Sequence, residues 1–190
     1  MKLNKNELAS ELLKRSFRFG NFTLTSGKQS NYYFDCRTTA LSQIGSHLLG
    51  RELFNMLHKG IVGIGGMTLG ADPLISAVMS YSWYCGKGDI LDGFIIRKKP
   101  KDHGTKQFIE GLENFENNSK VAIVDDVVTT GGSVIDSIQR CLDSNLIVKQ
   151  VLCVLDRQEG GYEKIKEHGY ELESIFTTEE ILQTKADYRL

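Results

Sequence analysis

The stretch Lys120-Val-Ala-Ile-Val-Asp-Asp-Val-Val-Thr-Thr-Gly-Gly-Ser133 constrains this chain more than any other. Val121 to Val124 form a short apolar run, the pattern of a strand buried on both faces. Asp125 and Asp126 stand at its carboxyl end, and Thr129-Thr-Gly-Gly-Ser133 follows. Val134, Ile138 and Leu142 then recur at helical spacing, which predicts a helix with these three on its apolar face. Glycines let backbone N–H groups close on an anion, hydroxyls add donors, and the helix start presents its positive end. A carboxylate pair repels a phosphate, but it accepts hydrogen bonds from two neighbouring sugar hydroxyls. Together the parts describe a cradle for a ribose 5-phosphate unit. The competing reading is a structural strand-to-helix turn in which Gly-Gly-Ser caps the helix and nothing binds. The stretch is neither a Walker A loop, having no Gly-Lys-Ser/Thr, nor a Gly-x-Gly-x-x-Gly turn.

With 190 residues the chain has room for one α/β domain and a small appendage. A net charge of −1 gives no global basic field for nucleic acid or an anionic membrane, so the basic residues must act locally. Cys36, Cys85, Cys141 and Cys153 are scattered without C-x-x-C spacing, which points to reduced thiols in the cytoplasm and not to a zinc site. No apolar leader follows Met1, and no segment approaches membrane-spanning length.

Strand and helix patterns alternate along the chain, which predicts a central, mainly parallel sheet flanked by helices. Residues 1–37 form an N-terminal hood on a core of residues 38–190 in this reading, all within one domain of residues 1–190. The hood comprises a helix over residues 5–17 that Gly20 stops, a strand around Phe22 and Leu24, and a second strand from Tyr32 to Cys36. Ile44, Leu48, Leu49, Leu53, Phe54 and Leu57 mark a helix over 42–58 with Ser42 as its N-cap. Ile61 to Ile64 reads as a strand that runs into Gly65-Gly-Met-Thr-Leu-Gly-Ala-Asp-Pro73. That second glycine-rich turn offers main-chain donors to an anion, or else packs a tight connection. Trp83, Tyr81 and Tyr84 cluster at the end of the next helix, as core or as interface.

Three further groups carry candidate chemistry. Tyr32, Tyr33, Phe34, Lys28 and Arg37 offer aromatic faces and cations to a planar anion, or form an ordinary amphipathic hairpin. Arg97-Lys-Lys-Pro-Lys-Asp-His-Gly-Thr-Lys-Gln107 holds five fixed cations, Arg97, Lys98, Lys99, Lys101 and Lys106, and reads as a solvated loop or as a cover for a polyanion. Arg157, after the strand Ile147 to Leu155, suits a carboxylate or pairs with Asp156 or Glu159.

Val-Asp-Asp-Val-Val-Thr-Thr-Gly-Gly-Ser133 resembles the phosphoribosyl pyrophosphate (PRPP) signature of type I phosphoribosyltransferases. Phe22-Thr-Leu-Thr-Ser-Gly-Lys-Gln-Ser-Asn-Tyr-Tyr-Phe-Asp-Cys-Arg37 and the order Arg97-Lys-x-x-Lys-Asp-His-Gly104 resemble the orotate branch of that family, and the resemblance runs from about Phe19 to Gly160. It implies the type I phosphoribosyltransferase fold. It also implies Mg²⁺-dependent transfer of phosphoribose from PRPP to N1 of orotate, in pyrimidine biosynthesis, by a homodimer. By the same resemblance Asp125, Asp126, Val127, Val128, Thr129, Thr130, Gly131, Gly132 and Ser133 bind PRPP, and Thr68 and Leu69 sit on the pyrophosphate loop. Arg97, Lys101 and His103 meet pyrophosphate, Lys98 reaches into the partner's site, and Lys98, Lys101, His103, Asp125 and Asp126 are the catalytic group. Tyr33, Phe34, Thr129 and Arg157 bind orotate. Mg²⁺ is held mainly by substrate and water. The sequence departs from some relatives at Thr25 and Leu69, where a lysine is replaced. Two other readings use the same cradle: a purine-base phosphoribosyltransferase, and a non-catalytic PRPP sensor that binds nucleic acid.

Overall fold

The computed structural model describes residues 5–23, 29–86, 91–100 and 107–188. In chain order the elements are α1 Lys5–Arg15, β1 Phe17–Thr23, β2 Gln29–Phe34, α2 Arg37–Ala40, α3 Gln43–Met56, β3 Gly63–Met67 and α4 Asp72–Cys85. There follow β4 Asp92–Ile96, β5 Ile109–Glu110, β6 Lys120–Val128, α5 Gly132–Asp143, β7 Ile147–Asp156, α6 Gly161–Glu167, β8 Leu172–Thr177 and α7 Thr178–Tyr188.

A six-stranded sheet has the order β5-β4-β3-β6-β7-β8, parallel throughout except for β5. The apolar runs follow from burial on both faces. Ile64, Val124, Leu152 and Val154 pack on one side with Leu8, Leu12, Leu49, Leu53 and Leu74. Val121, Ile123, Val151 and Cys153 pack on the other with Val134, Ile138 and Cys141. The antiparallel pair β1–β2 and α1 form the front piece, whose Leu8, Leu12, Phe17 and Phe34 join the first of these cores.

Several boundaries differ from the sequence reading. Strand β6 continues through both acids to Val128, with Asp125 paired to Cys153 and Val128 to Asp156. Helix α1 stops at Arg15, and Gly20 lies inside β1. On α5 the buried face is Val134, Ile138 and Cys141, while Leu142 is exposed. On α3, Ser42 does cap the helix, its Oγ accepting from Gly45 N at 3.1 Å, but Ile44 is exposed. Trp83 and Tyr84 are 89% and 81% exposed, which removes them from the core. Thr177 and Glu180 form a capping box at the start of α7, Thr177 N donating to Glu180 Oε2 at 2.8 Å and Glu180 N to Thr177 Oγ1 at 3.2 Å.

The order of connection positions the site. From β3 the chain crosses through α4 to β4 on one side, and later places β6 on the other. The strand order therefore reverses between β3 and β6, where open α/β sheets form their crevice.

Candidate active site

A cavity of about 540 Å³ opens at this reversal. Thr68 and Leu69 reach it from the end of β3, Lys98 from the end of β4, Asp125 and Asp126 from β6, Thr129 from just beyond β6, and Arg157 from the end of β7. Ser133, in the first turn of α5, and Tyr33 and Phe34 of β2 complete this part of the lining. Gly131 caps α5 in the left-handed region at φ 75°, where a side chain would be strained, and Gly132 opens the helix. Val128 is buried behind the wall.

The acid pair is internally organised. Ser133 Oγ donates to Asp125 Oδ2 at 2.8 Å, Asp126 N donates to Asp125 Oδ1 at 2.9 Å, and Val127 N donates to Asp126 Oδ1 at 3.0 Å. Burial, and then the charge of Asp126, push the Asp125 carboxyl up to about 7. Burial also raises Asp126, against the donors around it and the nearby Arg37 charge. Two charges confined without solvent hold protons more tightly, so the pair is poised for hydroxyl donors that would relieve it. Cys36 lies buried nearby, its thiol raised by burial and by the charges of Asp126, Asp35 and Asp125, so it offers no nucleophile.

The opposite wall is aromatic and cationic. Phe34 is buried against Phe17, and Tyr33 is partly exposed beside Phe22. Arg157 lies over the Tyr32 ring, 5.0 Å from its centroid. Its Nε approaches Glu159 Oε1 to 2.9 Å, an ion pair by distance, yet this buried Nε makes no hydrogen bond among the described residues. The Arg157–Glu159 pairing considered from sequence is therefore present, and it coexists with a place on the cavity wall.

Three cavity residues, Asp35, Met67 and Gly70, lie within stretches that the sequence marked but carried no role of their own there. Arg37, named there only as a general donor, holds Asp35 through Nε to Oδ1 and Nη2 to Oδ2, both at 2.8 Å. That pair keeps Asp35 below the usual carboxylate range. The signal was local: a carboxylate two residues before an arginine, directly after the Tyr-Tyr-Phe strand. Arg97, expected on pyrophosphate, pairs with Glu110 at 2.8 Å. Lys98 lines the cavity of its own chain. Lys101, His103 and Thr25 lie outside the described residues.

No family model matches the chain. The orotate phosphoribosyltransferase of Thermosynechococcus vestitus is 38% identical over 172 residues, 90% of this chain and 89% of the relative. That of Aquifex aeolicus is 37% identical over 184 residues, 95% of this chain and 98% of the relative. The chain belongs to the orotate phosphoribosyltransferase family. The Mycobacterium tuberculosis orotate phosphoribosyltransferase, solved in complex with PRPP, superimposes with a TM-score of 0.74 at 31% identity, covering 93% of this chain and 98% of that one. The cavity of this orotate phosphoribosyltransferase family member therefore contains the described residues on which the resemblance rests most heavily: the acid pair, the cradle, the hood aromatics and the arginine after β7.

Proposed function

We propose that this chain transfers the 5-phosphoribosyl group of PRPP to N1 of orotate, giving orotidine 5′-monophosphate and pyrophosphate. The observation that carries this reading is one cavity joining the acid pair and its cradle to an aromatic wall with an arginine. Thr129 and Ser133, with main-chain donors of residues 130–132, hold the 5-phosphate at the start of α5. Val127 and Val128 shape the turn that brings them there. Asp125 and Asp126 accept the ribose hydroxyls. Orotate lies against Tyr33 and Phe34 with its carboxylate on Arg157, and Thr129 borders it.

The ring nitrogen of orotate is the nucleophile. The bond from N1 to the ribose carbon forms as the bond to the pyrophosphate oxygen breaks; pyrophosphate leaves with the electron pair, and the proton that N1 gives up passes to pyrophosphate or water. Positive charge grows on the ribose, where Asp125 and Asp126 stabilise it across a short distance. Negative charge grows on pyrophosphate, next to Lys98 and the main chain around Thr68 and Leu69. Arg97, Lys101 and His103 add charge there, Arg97 by exchanging Glu110 for substrate. Binding the remote phosphate supplies energy that holds the reacting centre in place.

Mg²⁺ belongs to this proposal, and the donor set fits an ion carried by substrate oxygens and water. Three carboxylates, Asp35, Asp125 and Asp126, line the cavity, and oxygen donors of that kind suit Mg²⁺ beside substrate oxygens and water. The bound ion would neutralise pyrophosphate oxygens. A homodimer with a shared basic loop is also proposed, with one change from the sequence reading: Lys98 serves its own chain's site. Mixed dimers of Lys98→Ala and Arg157→Ala chains then regain no activity, whereas a Lys98 that crosses the interface would restore it. The setting proposed is the cytoplasm, which suits four free cysteines.

Purified protein with orotate, PRPP and Mg²⁺ tests the reading by loss of orotate absorbance, beside parallel reactions with adenine, hypoxanthine and uracil. Orotate consumption that needs both PRPP and Mg²⁺ is expected. Turnover of another base instead keeps the cradle and overturns the assignments of Tyr33, Phe34 and Arg157. PRPP binding without turnover of any base overturns the reaction and favours a sensor.

A further inference from the structure

Arg140 does not line the cavity, yet its guanidinium touches two of the connections that do, the one leaving β3 and the one between β4 and β5. It sits on α5, roughly two turns beyond Ser133. Its Nη1 donates to the main-chain oxygen of Arg97, and Nη2 reaches that of Lys98 at 3.5 Å. Its plane lies over the Phe108 ring, 4.4 Å from the centroid, and Nη1 is 3.7 Å from Met67 Sδ. Met67 ends β3 and lines the cavity, Arg97 and Lys98 leave β4, and Phe108 returns toward β5. The backbone closes the same stem, with Arg97 N donating to Phe108 O at 2.8 Å.

We infer that Arg140 is a positioning residue that sets where Lys98 enters the cavity, an inference that rests on the proposed reaction. Lys98 lies two residues beyond the end of β4, in a segment whose Pro100 lacks a donor for a sheet ladder. Arg140 offers its carbonyl a donor and its stem a flat surface. Two carbonyls and a ring face together require a planar fork, which a lysine cannot supply. The same helix carries Ser133 at one end and Arg140 further on, so the phosphate cradle and the leaving-group cation are referred to one rigid element. The effect on chemistry runs through Lys98 alone, since Arg140 touches no substrate.

A double-mutant cycle separates this from a merely structural role. Arg140→Gln is expected to lower kcat about tenfold while leaving the KM for orotate within about twofold, the cost of a cation displaced by about an ångström. In the Lys98→Ala background the same change is expected to cost nothing further, and Arg140→Lys is expected not to restore kcat. Losses that multiply in the double variant overturn the inference, as does full activity in Arg140→Lys. Should Arg140→Gln fail to fold, Phe108→Leu removes the stacked face and enters the same cycle with Lys98→Ala. The cycle is also read on pyrophosphate affinity by calorimetry, which does not depend on turnover. Wild-type protein that ignores orotate therefore defeats the proposed reaction and leaves this coupling to be judged on its own result.

Discussion

Ser133 donates its hydroxyl hydrogen to Asp125 at 2.8 Å, which joins the first turn of α5 to the acid pair on β6. A residue of the phosphate cradle thus tunes the group proposed to hold the ribose. The hydrogen bond favours the charged form of Asp125 and opposes burial, which pushes the carboxyl up to about 7. Ser133→Ala removes that donor, so the pair holds its proton to higher pH. The acid limb of kcat/KM for PRPP is expected to move upward by up to about one pH unit. A pH profile of wild type and variant checks this, and an acid limb that stays in place contradicts it.

The same pair sets the pH dependence of stability in the free protein. Asp125 is raised from 3.8 to about 7 in the folded state, and Asp126 is raised as well. Between those values the folded state binds more protons than the unfolded chain, so stability falls as pH rises through this window. Free protein is therefore expected to melt higher near pH 5 than near pH 8, by on the order of 5 °C. Asp125→Asn should flatten the difference. PRPP affinity runs the other way, because hydroxyl donors need ionised acceptors. Melting curves with and without PRPP across that range test both signs together.

Arg157 combines an ion pair to Glu159, a place over the Tyr32 ring and a buried donor without a hydrogen-bond partner among the described residues. A planar carboxylate-bearing base would use that donor. Arg157→Lys keeps the charge and loses the fork and the stacking. Its kcat/KM for orotate is expected to fall roughly 10- to 100-fold, a transition-state loss of about 1.4–2.8 kcal/mol. The KM for PRPP should stay within about threefold. An equal loss for both substrates would place Arg157 in the scaffold and not on orotate.

Much of this site was legible because its chemistry is local in sequence. The acid pair, the hydroxyls and the glycines of residues 125–133 are contiguous, and burial on two faces reads directly as Val121 to Val124. The end of β6 was not legible, since aspartates disfavour strands and here the ladder carries them to Val128 regardless. On α5 the apolar pattern takes in both Cys141 and Leu142, and packing against Val151 and Cys153 keeps the cysteine and leaves the leucine exposed. Arg140 reads as an ordinary polar-face residue because its partners lie on other strands, as does the partner of Arg97 at Glu110. Such contacts are set by which strands become neighbours, and the linear pattern does not contain that.

The glycines of the second turn separate into two kinds, which supports a last prediction. Gly65 and Gly66 belong to β3, and each is closed off by packing. A Cβ on Gly66 would lie 2.0 Å from Val124 O and 2.7 Å from Ala71 Cβ, and a main-chain oxygen in a sheet cannot rotate away. Gly66→Ala must push β3 from β6 and is expected to destabilise the fold by about 3 kcal/mol or more. Gly70 stands over the site instead. Its Cβ would lie 2.4 Å from Asp126 Oδ1, an atom at the end of a side chain that can turn. Gly70→Ala therefore moves the carboxylate and not the sheet. Its melting temperature should fall by no more than about 4 °C, while KM for PRPP rises about tenfold, the loss of about 1.4 kcal/mol expected for a misplaced charged hydrogen bond. Melting curves and PRPP kinetics on the two variants decide the matter. A Gly66→Ala chain that melts like wild type, or a Gly70→Ala chain with unchanged PRPP kinetics, would mean that the close approach of β3 to β6 or of Gly70 to Asp126 is not what these glycines serve.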